Sequence, residues 1–175
     1  MDDTEVDRGA LQLTFNKSQR TFRERGMVEI RRILYPSDFS GCSFQVLPYV
    51  LSLAQKYNAE IYLLYVARNL QVYAKLRAPH RASASILETT LKEVEVMMDK
   101  FCNQHFQGCP NFNRKVALGE PGQEIVKTVE KENIDLVVMG THGRKGLQQT
   151  LFGTVAHYVV MHSKAPVLIV NPYRV

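Results

Sequence analysis

Along most of this chain, short apolar runs alternate with stretches in which apolar residues recur every three or four positions. Continuous runs of four to eight apolar residues suit strands covered on both faces, whereas the longer period suits amphipathic helices. Ile30 to Tyr35 reads as a first strand, stopped by Pro36, and Ser40 can cap a helix running to about Tyr57. Phe44, Leu47, Leu51 and Ala54 are the expected inward face of that helix, with Pro48 inside it at the cost of a kink or one hydrogen bond. Glu60 to Val66 gives a second strand, and residues 68 to about 83 a basic loop containing Pro79. A long helix is predicted from Ala84 to about Gln104, carrying Ile86, Leu87, Leu91, Val94, Met97, Met98 and Phe101 at helical spacing. Asn113 to Leu118 is a third strand, and Pro121 suits the first turn of a helix that buries Ile125 and Val129. Ile134 to Met139, then Thr154 to about Ser163, then Pro166 to Val170 complete the pattern as strand, helix and strand.

Such alternation implies an α/β fold, a parallel sheet wrapped on both faces by helices. In sheets of this kind ligands sit beyond the carboxyl ends of the strands, where the strand order reverses. If the first and fourth strands are neighbours, Pro36-Ser37-Asp38 faces Gly140-Thr-His-Gly143 across that crevice, but periodicity alone does not decide adjacency.

Residues 1–29 carry mixed charge without a sustained period and are expected to be a flexible extension, leaving residues 30–172 as one domain. Either Met1 or Met27 could be the first residue of the natural product. The acidic, polar start lacks the form of a signal peptide, and no apolar run approaches a membrane span, so a cytoplasmic location is expected. Three cysteines with no C-x-x-C pair fit reduced thiols better than a disulfide framework or structural zinc. The net charge of +5 is dispersed, so it reads as a solvated surface; nucleic acid is not an expected partner.

The candidate chemistry lies between Asp135 and Val155, where an apolar run opens into a loop bearing Gly140, Gly143 and, after nine intervening residues, Gly153-Thr154. The spacing matches neither a P-loop nor a dinucleotide fingerprint. Glycines able to adopt positive φ, with the helix N-terminus after Thr154, would make a concave surface suited to phosphate. The plain alternative is a surface loop with turn glycines.

Ile33-Leu-Tyr-Pro-Ser-Asp38-Phe-Ser40, Gly119-Glu-Pro121 and Gly140-x2-Gly143-x9-Gly153-Thr154 together resemble the universal stress protein family, in its ATP-binding branch, over roughly residues 28–172. The resemblance implies a Rossmann-like fold of the adenine nucleotide alpha hydrolase type, with one open five-stranded parallel sheet in the order 3-2-1-4-5. It also implies ATP (or AMP or ADP) at the crevice between strands one and four, with Mg²⁺ or Mn²⁺ carried by the phosphates, and a homodimer through residues 166–170. Carried over by residue, Asp38 and the backbone at Pro36 and Ser37, with the Val66 main chain, hold the adenosine end. Met139 and Gly140 line the ribose side, while Gly143, Gly153, Thr154 and the Val155 N–H hold the phosphates, with His142 within reach of them.

Each assignment has a duller counterpart. Asp38 can serve only the helix dipole, Thr154 can be only a helix cap, and Arg144 and Lys145 can be merely solvated. His157 and His162 are five apart, so they do not share a helix face as metal ligands would. The leading functional expectation is a dimeric, nucleotide-dependent regulator of the stress response. A slow ATP hydrolase or nucleotidyl-transfer enzyme on the same scaffold, or an interaction module without nucleotide, are the alternatives.

Overall fold

The computed structural model describes residues 28–68, 82–106, 111–141, 153–171 and 173, with side chains of the second helix described from Lys92 onward. Nearly all of the 1–29 extension, most of the 68–83 loop, Cys109, the side chains of Ile86, Leu87 and Leu91, and His142, Gly143, Arg144 and Lys145 lie outside the described residues.

In chain order the elements are β1 (Arg32–Pro36), α1 (Gly41–Tyr57), β2 (Glu60–Ala67), α2 (Ala82–His105), β3 (Phe112–Leu118), α3 (Pro121–Lys131), β4 (Leu136–Gly140), α4 (Thr154–His162) and β5 (Val167–Val170). All five strands pair in parallel, in the order β3-β2-β1-β4-β5. The chain moves outward from β1 to β2 and β3, then crosses back to place β4 on the other side of β1. The order therefore reverses between β1 and β4.

Side chains of successive strand residues point to opposite faces, and each face carries its own core. Ile33, Tyr35, Ile61, Leu63 and Val138 pack with Val46, Leu47 and Val50 of α1 and Met98, Phe101 and Cys102 of α2. Leu34, Leu64, Val137 and Met139 pack on the other side with Ile125 and Val129 of α3 and Ala156 and Val159 of α4. Two helices thus pack on each face of the sheet.

Two local expectations change. The inward face of α1 is Ser43, Val46, Leu47, Val50 and Ala54, whereas Phe44 is exposed and Leu51 only half-buried. The α1 stripe is thus rotated by about one residue from the predicted one, toward the β-branched valines. Pro48 lies on the exposed side, and the helix continues through it. Among the described glycines, positive φ falls at Gly119 and not at Gly140 or Gly153. Gly140 ends a strand and Gly153 has φ −68°, whereas Gly119 has φ +151° where β3 turns toward α3.

Candidate functional site

Main-chain direction defines the crevice. Asp135 N–H donates to the Arg32 carbonyl at 3.0 Å, so the even-numbered residues of β1 face β4. The β1–β4 register pairs Ile33 with Leu136 and Leu34 with Val137. The next bond from β1 to β4 would need an N–H at Pro36, and proline has none. Toward β2 the same strand stays paired two residues longer, through Pro36 with Leu64, followed by a 2.9 Å bond from Ser37 N–H to the Leu64 carbonyl. Pro36 thus frees β1 from β4 at their carboxyl ends while leaving β1 joined to β2. A cleft at the point of order reversal is the result.

The walls of that cleft follow from the same alternation. Glu60 N–H bonds Arg31 and the Leu64 carbonyl bonds Ser37, so even-numbered residues of β2 face β1. Val66 therefore presents its N–H and C=O toward the cleft, just past the last β1 pair. On the opposite wall, Val137 and Thr141 N–H groups bond Pro166 and Val170, so odd-numbered β4 residues face β5 and Gly140 faces the cleft. Met139 is a core side chain only 6% exposed, so it floors the site from the α3/α4 side.

The turn from β1 to α1 is closely knotted. Asp38 Oδ1 accepts from Ser40 N–H at 3.0 Å, Ser40 Oγ at 2.6 Å and Ser43 Oγ at 2.5 Å. Ser43 Oγ in turn accepts from Asp38 N–H at 3.3 Å, and Ser37 Oγ accepts from Phe39 N–H at 3.1 Å. Ser40 caps α1 as predicted, accepting from Ser43 N–H. The carboxylate of Asp38 therefore does serve the start of α1, and its bonds there also fix its position beside Pro36. Below it, Tyr35 is wholly buried and its hydroxyl donates to the Ser43 carbonyl at 2.7 Å. Burial pushes the Tyr35 phenol far above its ordinary range, and the nearby Asp38 charge pushes the same way.

The start of α4 is anchored by a residue the sequence did not single out. Thr141 is 4% exposed, donates its N–H to Val170 and accepts from Gly153 N–H at 2.8 Å. It ties the start of α4 to the end of β4 across the intervening loop. Gly153 is the helix N-cap, so Thr154 occupies the first helical position and is not the cap. Thr154 is exposed and Val155 half-buried. Helix geometry leaves the N–H groups of the first turn without intrahelical acceptors, which favours an anion there. No acidic side chain occupies that turn. A threonine between two loop glycines was the available signal for Thr141, but its role depends on which strand lies beside β4.

Pro36, Ser37, Asp38, Val66, Gly140, Gly153, Thr154 and Val155 are thus brought to one edge of the sheet. His157 and His162 lie apart from it on the exposed face of α4, where His162 stacks on Tyr158 with ring centroids 4.1 Å apart.

An open parallel sheet with a cleft at its order reversal and a helix N-terminus beside it defines a Rossmann-like α/β protein. The family model described as the universal stress protein family matches residues 29–171, and the chain belongs to that family. It is 30% identical over 142 residues to universal stress protein MJ0531 of Methanocaldococcus jannaschii, covering 81% of this chain and 82% of that protein. The solved structure of MJ0577, from the same organism, superposes with a TM-score of 0.73 at 27% identity, covering 82% of this chain and 97% of that one. A crystal structure of a universal stress protein in complex with cAMP shares the fold, with a TM-score of 0.55 at 20% identity over 81% of this chain and 97% of that one.

Proposed function

We propose that this protein binds an adenine nucleotide, ATP or its di- or monophosphate, in the β1/β4 cleft, and regulates partners in the stress response according to that occupancy. The observation that carries the reading is the gap Pro36 makes between β1 and β4, flanked by the Val66 and Gly140 main chains and by the N-terminus of α4. A family relative crystallised with cAMP supports an adenine ligand for this architecture. In this reading Asp38 and the Val66 main chain hold the sugar and base, and Gly143, Gly153, Thr154 and the Val155 N–H hold the phosphates. The same reading assigns His142 to the phosphate end, with Mg²⁺ or Mn²⁺ arriving with the phosphates. Binding the folded state alone, nucleotide stabilises by mass action the conformation that holds it.

The working unit in this reading is a cytoplasmic homodimer of the domain spanning residues 30–172, paired through residues 166–170. Support comes from the position of β5 at one end of the sheet, where an edge strand offers unpaired main-chain groups, with Leu168 exposed on it.

Gly153→Val tests the cleft. At φ −68° and ψ 158° a valine suits the backbone, so its effect is that of added methyl groups beside the phosphate position. Calorimetry is expected to register ATP binding to the wild type and none to the variant, while circular dichroism of the two stays alike. Equal ATP affinity in both would refute the proposed phosphate position.

A further inference from the structure

Three non-glycine residues among those described have positive φ: Phe39, Asn58 and Asn133. Asparagine adopts that conformation readily, and Asn58 uses it to end α1. Phe39, with φ 55°, has no such excuse: an aromatic residue with a left-handed backbone is uncommon and must be held there by its surroundings. What holds it is aromatic. Its ring stacks on Tyr65 with centroids 5.3 Å apart and planes 15° apart, and meets Phe101 edge-on at 5.1 Å. Tyr65 immediately precedes Val66 on β2, and Phe101 belongs to α2. The left-handed step at Phe39 turns the chain so that Asp38, just before it, and Ser40, just after it, meet through the Asp38 carboxylate.

We propose that Phe39 is a positioning residue for the nucleotide cleft: its ring, clamped on Tyr65 and Phe101, sets the Asp38 carboxylate at a fixed place relative to the Val66 main chain. This inference rests on the nucleotide reading of the cleft. Phe39 acts through its neighbours and touches no ligand itself. Because both groups it aligns serve the sugar and base, its loss weakens every adenine nucleotide alike, whatever the number of phosphates.

The test is calorimetry of AMP and ATP binding to the full chain and to three variants. Phe39→Gly keeps the positive φ accessible but removes the ring, and is expected to weaken AMP and ATP by the same factor, about tenfold. Phe39→Tyr, which keeps the ring, is expected to restore both. Phe44→Ala removes another ring that packs on Phe101, 5.4 Å away, without touching the turn; it is expected to lower thermal stability and leave both affinities unchanged. Should the glycine variant fail to fold, Phe39→Leu keeps apolar volume without a stacked ring and is expected to show the same equal weakening. Wild-type affinity in the ring-deleted variants, a loss confined to ATP, or an equal loss in Phe44→Ala overturns the inference while the nucleotide reading stands. A wild type that binds neither AMP nor ATP overturns both.

Discussion

At the scale of single residues, one absent N–H and one buried hydroxyl do most to shape the cleft. Pro36 ends the β1–β4 pairing because it cannot donate, and Tyr35 beside it secures the first turn of α1 through its bond to the Ser43 carbonyl. Tyr35→Phe removes that bond and leaves the carbonyl short of a donor, and is expected to cost about 1 kcal/mol. Chemical denaturation at neutral pH measures it. The same residue gives an alkaline signature. Because folding raises the Tyr35 pKa above its unfolded value near 10, its contribution is complete below about pH 10 and is lost progressively as pH rises further. Denaturation between pH 9 and 11, about the unfolded tyrosine pKa, is expected to show stability falling more steeply in the wild type than in Tyr35→Phe. Parallel pH profiles would mean the phenol ionises as easily folded as unfolded.

Among the elements, α4 brings its N-terminus beside the cleft, and two contacts help to place it. Its start is bonded to Thr141, and its body lies against α3 where Gly122 meets Tyr158. A Cβ added at Gly122 would lie 2.7 Å from Tyr158 Cδ1 and 2.9 Å from Cγ, too close for the base of a ring to yield. Gly122→Ala is therefore expected to force α3 and α4 apart and destabilise the fold by about 1–3 kcal/mol. On a domain of this size that is a melting temperature lowered by roughly 2–4 °C per kcal/mol. An unchanged melting temperature would show that the helices can part without cost. Element type was legible in the sequence because parallel strands buried on both faces read as unbroken apolar runs, as in Glu60–Ala67, while α3 alternates with period 3.6 around Ile125 and Val129. The α1 face was misjudged because Phe44 outweighs Val46 in hydrophobicity, and periodicity weighs residues without knowing that Ser43 must turn inward to reach Asp38. The glycines and Asp38 were legible as candidate site residues by type and spacing. The part played by Pro36 and Thr141 was not, since it exists only once β4 lies beside β1 and β5.

For the whole molecule, the strand order turns scattered motifs into one edge. Residues about a hundred positions apart, at Asp38 and Gly140, come to flank one cleft because β1 and β4 are neighbours. The opposite, amino end of the sheet is closed by ordinary structural bonds: Asp135 Oδ2 accepts from the N–H groups of Arg31 and Arg32, and Lys115 pairs with Glu132. In the dimeric reading, the free edge of β5 is the other functional surface. Leu168→Lys places a charge on it and is expected to convert a dimer into a species sedimenting at the 20.0 kDa of one chain. A variant that sediments with the wild type would place the subunit contact elsewhere.

The central claim is that the carboxyl edge between β1 and β4 takes an adenine nucleotide, and amide chemical-shift mapping by NMR during titration with ATP tests it most directly. The predicted result is saturable movement of the Val66, Gly140, Thr154 and Val155 amides, with Arg31 and Arg32 at the amino end unmoved. Shifts absent from those four amides, or centred on the amino end, would contradict it.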